Sequence, residues 1–283
     1  MKKLALCIAL LGIYVGIQIP LTRYMADRPV AEQVGFIAHP QLMRLSSADH
    51  KETAGALLSI KALMYYGTLV EEARAGNPVT VDYDGLYRLL SAASALDPYN
   101  MDSYYFSQAI LAWEPDFMPQ VLELLRRGME YRDWDWMLPF WAGFDTANFL
   151  KDYDTAATYY RRAAELSGAE LFASLTSRYL YEADQTELAI NYLEAMLKGA
   201  TKPAIRQTFE LRLDALKKMR MIEEAIAAFR LREAKGPGTL EALVRSGDLS
   251  AIPEDPYGGE FYLDDTGKPR SSRLFNAPQP RSL

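Results

Sequence analysis

Helix-sized apolar segments recur along this chain at a nearly constant spacing, and that recurrence constrains the fold more than any other feature. Small or aliphatic residues stand at Leu86, Val121, Ala156, Ala189 and Ala225, separated by 35, 35, 33 and 36 residues. Four residues after each comes a larger apolar side chain: Leu90, Leu125, Tyr160, Leu193 and Phe229. Positions three and four apart share one helical face, so each pair marks a stripe that packs on a preceding helix. The pattern stays helical almost without pause from Lys51 to Ala234. It breaks at Gly76-Asn77-Pro78, Asp97-Pro98, Glu114-Pro115, Gly168, Gly199 and Gly236-Pro237-Gly238, residue types that end helices. No strand pair is expected before residue 255. The expectation is an all-α array of helix pairs, each touching mainly its neighbours.

The clearest unit runs from Phe140-Trp141 through Ala156, Tyr160 and Ala163 to Gly168. It resembles the tetratricopeptide repeat. In that family the first helix of a pair carries a bulky residue early, and the second carries a small residue, an aromatic and an alanine. Phe140, Ala156, Tyr160 and Ala163 occupy the matching positions. The small side chains let the two helices approach closely. Leu86 and Val121 are larger than the family pattern, Phe144 fills a normally small site, and Arg232 replaces an alanine. The resemblance covers residues 51–236 and implies a right-handed superhelix of about five helix pairs. By analogy of fold it also implies a surface that binds peptides or partner proteins.

Ahead of the array, Lys2 and Lys3 precede an uncharged apolar stretch, Leu4 to Leu21. Its 18 residues make about 27 Å of helix, just enough for a hydrocarbon core of about 30 Å. The exit, Tyr24-Met25-Ala26, places a bulky tyrosine where a cleavable signal has a small residue. That favours an uncleaved signal anchor, although Pro20 and the run to Ala26 leave cleavage open. Lysines on the short side put the amino terminus in the cytoplasm. In a bacterium the rest would then be periplasmic, on the outer face of the inner membrane. Cys7 sits inside the apolar stretch after a leucine, a poor setting for lipidation. The domains expected are the anchor at 1–22, a linker at 23–50 with room for a short capping helix, the helical array at 51–236, and a carboxyl-terminal segment at 237–283.

Little in the chain points to catalysis. Thirty-one basic and 37 acidic residues give a net charge of −6 with no basic tract, which disfavours nucleic acid. One cysteine excludes an intramolecular disulfide or a Cys-built cluster, and His39 and His50 are too few for a triad or a His-based metal site. No P-loop or GxGxxG is present. Neither an enzyme nor a cofactor or metal centre is expected. The basic residues Arg206, Arg212, Lys217, Lys218, Arg220, Arg230 and Arg232 interleave with acidic ones, as on a solvated helix face.

The binding residues expected are aromatic. All four tryptophans fall between Trp113 and Trp141. Trp113, Tyr131, Trp134, Trp136 and Trp141 are the candidates for partner binding, against the reading that they fill gaps between helices. Trp134-Asp135-Trp136 cannot all face one core if helical, so at least one tryptophan is expected at the surface.

At the carboxyl end, Phe261 and Leu263 alternate with Tyr262 and lead into Asp265-Thr266-Gly267, predicting a small β-hairpin. Tyr257, Phe261 and Tyr262 are candidates for a second contact. A calcium site from Asp255, Asp264 and Asp265 is weighed against simple solvation. Thr239 to Ser246 reads as a short helix and Asn276 to Leu283 as a loose tail. Asp255-Pro256-Tyr257-Gly258 resembles a loop near the end of major pseudopilins of type II secretion systems, over fewer than twenty residues. That resemblance implies a pilus or secretion setting. The function expected is a membrane-anchored scaffold or adaptor in a cell-envelope assembly. A fixed subunit of a large membrane complex and a chaperone-like client-binding module are the alternatives.

Overall fold

Each break in the apolar pattern becomes a helix boundary, and a side chain often satisfies the freed backbone groups there. The computed structural model describes residues 2–26 and 34–273. Residues 27–33 of the expected linker and the expected tail lie outside the described residues. The protein is mostly helical, with one small antiparallel sheet. It divides into two compact units, Met1–Leu138 and Pro139–Leu283.

The first unit contains α1 (Lys2–Ala26), α2 (Pro40–Ser47), α3 (Lys51–Arg74), α4 (Tyr83–Leu96), α5 (Met101–Ile110) and α6 (Met118–Tyr131). Short 3-10 turns at Leu111–Trp113 and Pro115–Phe117 join the last two. Asp82 caps α4 by accepting from Gly85 N at 2.7 Å, and Asn100 caps α5 through Asp102 N at 2.9 Å. Helix α3 packs on α4, α4 on α5, and α5 on α6; α3 also meets α5, and α4 meets α6. Contacts with the next helix and the next but one are those of stacked hairpins. Part of the expected linker is therefore structured: α2 packs on α3 and α4, and Arg44 Nε donates to Ala95 O at 3.0 Å. Among the described residues, one helical stretch, Pro40–Arg74, is long and apolar enough to cross a membrane by composition, with an 18-residue window of mean hydropathy 1.2. Yet α3 buries Gly55, Ser59, Ala62, Tyr65 and Leu69 inside this unit.

The unit boundary falls inside α7 (Met137–Asp145), which continues into a π-helical turn, Thr146–Leu150. The second unit goes on with α8 (Tyr153–Ser167), α9 (Glu170–Glu182), α10 (Thr186–Gly199), α11 (Pro203–Glu233) and α12 (Leu240–Ser246). Gly168, at φ +65°, ends α8 in the left-handed conformation that glycine adopts without cost. All ten stripe positions are buried, from Leu86 and Leu90 in α4 to Ala225 and Phe229 in α11. The close-approach logic is clearest at α8, where Ala156 and Ala163 are fully buried beside Tyr160.

The count of five pairs needs correction. Residues 203–233, read as a fifth pair, form one continuous helix of 31 residues. The stretch Ala215-Leu216-Lys217-Lys218-Met219-Arg220-Met221 contains only strong helix formers and no breaker, so nothing turns the chain there. Both halves of α11 still bury apolar residues, with Phe209, Leu213 and Leu216 in one and Ile222, Ile226 and Phe229 in the other. The expected hairpin forms from β1 (Phe261–Leu263) and β2 (Pro269–Ser271), with Phe261 opposite Ser271. Gly267, at φ +78°, makes its turn.

Candidate interaction surfaces

In the first unit, three exposed aromatics, Tyr99, Tyr131 and Trp134, gather where α4 hands over to α5 and α6 hands over to α7. Tyr99, in the loop after α4, is 55% exposed; Trp134 is 57% exposed and Tyr131 41%. The Tyr99 and Trp134 rings lie nearly parallel, 9° apart with centroids at 6.2 Å. Tyr131 meets Tyr99 edge-on at 5.9 Å. The Arg132 guanidinium stands 5.6 Å over the Trp134 ring. It is held there by Asp135, whose Oδ2 accepts from Arg132 Nε at 3.0 Å and Nη2 at 2.7 Å. Asp135 Oδ1 accepts from Met137 N at 3.0 Å, so one buried carboxylate anchors the arginine and caps α7. Beside this cluster, His39, Arg44, Ser94, Arg127, Glu130 and Tyr131 line part of a 330 Å³ groove.

The structure thus joins two of the five aromatic candidates, Tyr131 and Trp134, through two residues not singled out, Tyr99 and Arg132. The missed signal was Asp97-Pro98-Tyr99-Asn100, read only as a helix stop. Trp134 and Trp136 are exposed with buried Asp135 between them. The cause differs from the helical geometry expected, because residues 132–136 form the turn between α6 and α7. Trp113 ends the 3-10 turn after α5 and is 65% exposed. Trp141 is half-buried in α7 and belongs to the second unit.

Of the carboxyl-terminal candidates, Tyr257 and Phe261 are buried and only Tyr262 is exposed. The first two therefore offer no contact surface. Phe261 joins a cluster with Phe209, Leu213, Ile222, Leu243 and Leu249. Burial pushes the Tyr257 hydroxyl up to about 12, against the opposing pull of Arg212. Strand alternation puts one aromatic inside and the next outside.

The hairpin is pinned to the end of α9. The Tyr181 hydroxyl donates to Pro269 O, and Lys268 Nζ donates to Tyr181 O, to Glu182 O at 3.2 Å and to Asp184. Arg270 Nη1 donates to both oxygens of Glu182 at 2.7 Å, and Nε to Asp264 Oδ2 at 2.8 Å. Lys268, Arg270, Arg230, Glu182, Asp184 and Glu223 line much of an open 580 Å³ cleft beneath it.

Two of the three carboxylates considered for calcium, Asp264 and Asp255, are engaged by the chain's own donors. Asp264 Oδ1 accepts from the Thr266 amide and hydroxyl and from Lys268 N. Asp255 accepts from Tyr257 N and Ser271 Oγ. The basic residues of α11 pair locally: Arg206 with Glu210, Lys218 with Asp214, and Arg220 with Glu224. Lys217 pairs with Glu194, and Arg232 with Asp248.

Desolvation alone would raise the Asp264 carboxyl, but hydrogen bonds from Thr266, Arg270 and Lys268 outweigh it and hold the group far below the usual range. A depressed folded pKa adds stability above the unfolded value, about 3.9, that is lost as pH falls through the folded one. The melting-temperature gap between wild type and Asp264→Asn should therefore shrink as pH is lowered from about 5 towards 2.5. A gap independent of pH would refute this role. Glu223 carries the opposite sign: burial raises it against the hydrogen bond from Thr186. Its ionisation costs stability as pH rises through its folded value.

No protein-family model matches this chain, and no curated protein matches it. Among solved structures, MamA AMB-1 is similar at 14% identity over 58% of this chain and 97% of that one, with a TM-score of 0.34. A likeness that loose carries no argument, so the reading below rests on the residues themselves.

Proposed function

We infer that this chain is a membrane-anchored scaffold whose stacked helices, forming a tetratricopeptide-type superhelix, hold a protein partner in a cell-envelope assembly. The observation that carries the reading is the stacked and exposed Tyr99–Tyr131–Trp134 cluster with Arg132 fixed over it. Large aromatics and arginine dominate binding hot spots, because they bury much area at little cost in side-chain entropy. Here the rings already stack on one another before a partner arrives, which lowers the ordering cost further. The adjoining groove gives an extended segment somewhere to continue. In this reading the protein has no catalytic role and needs no cofactor.

The anchor reading is supported by α1, an unbroken 25-residue helix with Leu10, Leu11, Ile13, Val15, Ile17 and Ile19 exposed. Its length of about 37 Å exceeds a hydrocarbon core. In a bacterium, the lysine bias at its start supports an inner-membrane anchor with the helical units in the periplasm. The Asp255–Gly258 resemblance favours a pilus or secretion setting.

A photoreactive residue at position 134, compared with one at exposed Leu188, tests the surface in intact cells. A single stoichiometric adduct from position 134 is expected. Trp134→Ala should weaken that partner about 30-fold, equivalent to about 2 kcal/mol, with an unchanged melting temperature. A spread of unrelated adducts would favour the chaperone-like module instead. A complex that never releases free protein under mild detergent would favour the fixed subunit.

A further inference from the structure

We propose that the exposed aliphatic stripe of α3, made by Leu57, Ile60, Leu63 and Met64, rests on the lipid surface of the membrane that holds α1. The inference builds on the anchor reading above. Stacked-helix arrays need polar outer faces on their terminal helices. Helix α3 opens the array and breaks that rule. One of its faces is buried through Gly55, Ser59, Ala62, Tyr65 and Leu69. On the other, Leu57 is 60% exposed, Ile60 50%, Leu63 45% and Met64 68%. A shallow groove of 360 Å³ runs along that side. Between Thr53 and Val70 the only charged residue is Lys61.

The covalent path of the chain argues for lipid as the occupant. Lys61 Nζ donates to Val34 O at 2.7 Å, and Val34 is buried, so the chain from the anchor enters the fold beside the stripe. From Ala26, the end of α1, to Val34 is eight residues, which reach at most about 29 Å. The stripe cannot lie farther than that tether, plus the width of α3, from the emerging anchor. Flexible apolar side chains suit a fluid apolar surface, which needs no shape match, and the lone charge is a lysine that anionic headgroups attract. Leu42 and Leu45 are also exposed, on α2, the short helix that precedes α3.

The full-length chain in phosphatidylcholine–phosphatidylglycerol vesicles provides the test. An environment-sensitive fluorophore is placed at native Cys7, or at Ile60→Cys or Leu188→Cys in a Cys7→Ser background. Lipids spin-labelled near the headgroup end of the acyl chain serve as quenchers. Position 60 should be quenched severalfold more than position 188, and position 7 should also be quenched by a mid-chain label. Quenching at 7 with none at 60 overturns the proposal and leaves the anchor standing. A blue-shifted but unquenched label at 60 also overturns it, because protein, such as a second copy, then covers the stripe. No quenching at 7 removes the anchor reading, and the proposal falls with it.

Discussion

Tyr160→Ala is expected to destabilise the second unit by about 3–5 kcal/mol, the cost of emptying a large aromatic site in a packed core. Tyr160 is 2% exposed. Its ring lies 5.2 Å from that of Tyr179 at an interplanar angle of 6°, and meets Phe140 at 6.4 Å. A Cβ on Gly143 would stand 3.2 Å from the Tyr160 ring, so α7 and α8 meet through a glycine laid against an aromatic face. Removing the ring leaves a cavity that Gly143, with no side chain, cannot fill. Urea unfolding monitored by circular dichroism would measure the loss, with a midpoint shift at constant slope if only stability changes. Tyr160→Phe keeps the packing and should cost less than about 1 kcal/mol. An alanine effect as small as the phenylalanine effect would show that this contact does not hold the helices together.

Phe261→Ala is expected to cost about 3 kcal/mol and to release the hairpin. Two three-residue strands cannot stand alone in water, so their order depends on docking. Phe261, 6% exposed, is the buried side chain of β1 in the core shared with α11 and α12, and Leu263 packs against that core partly buried. Its neighbour Tyr262 points outward, and Tyr262→Ala should stay within about 0.5 kcal/mol of wild type. Limited proteolysis would show new cleavage between residues 254 and 273 in Phe261→Ala alone. Equal cleavage in the two variants would mean that Phe261 does not hold the hairpin in place.

These two sites differ in how far the sequence reveals them. Tyr160 was legible because it stands four residues after Ala156, a pairing of a small or aliphatic residue with a larger apolar one that recurs at a nearly constant spacing, and periodicity reports which face of a helix is buried. Phe261 was legible as strand, yet its burial was not, because alternation gives two faces without saying which one meets the core. Tyr257 was misread for a related reason: a loop has no period to show burial. The 31-residue α11 ran against the repeat because local helix propensity, uninterrupted by Gly or Pro, outweighed the family pattern. The aromatic cluster was half legible. Trp134 and Tyr131 stood out by type, whereas Tyr99 lies 35 residues from Trp134 and joins it only through the folding of two separate turns.

By itself, the sequence determined the helical class, the period, the buried stripes of α4, α6, α8, α10 and α11, the apolar first segment and the closing hairpin. Each is encoded locally, by side chains three or four residues apart or by the turn chemistry of a few. Tertiary structure alone decided that Arg132 stands over Trp134, that Lys268 and Arg270 clamp the hairpin to α9, and that α3 shows a second apolar face to its surroundings. Those outcomes depend on which distant segments meet. The meeting is set by packing summed over whole helices rather than by any motif.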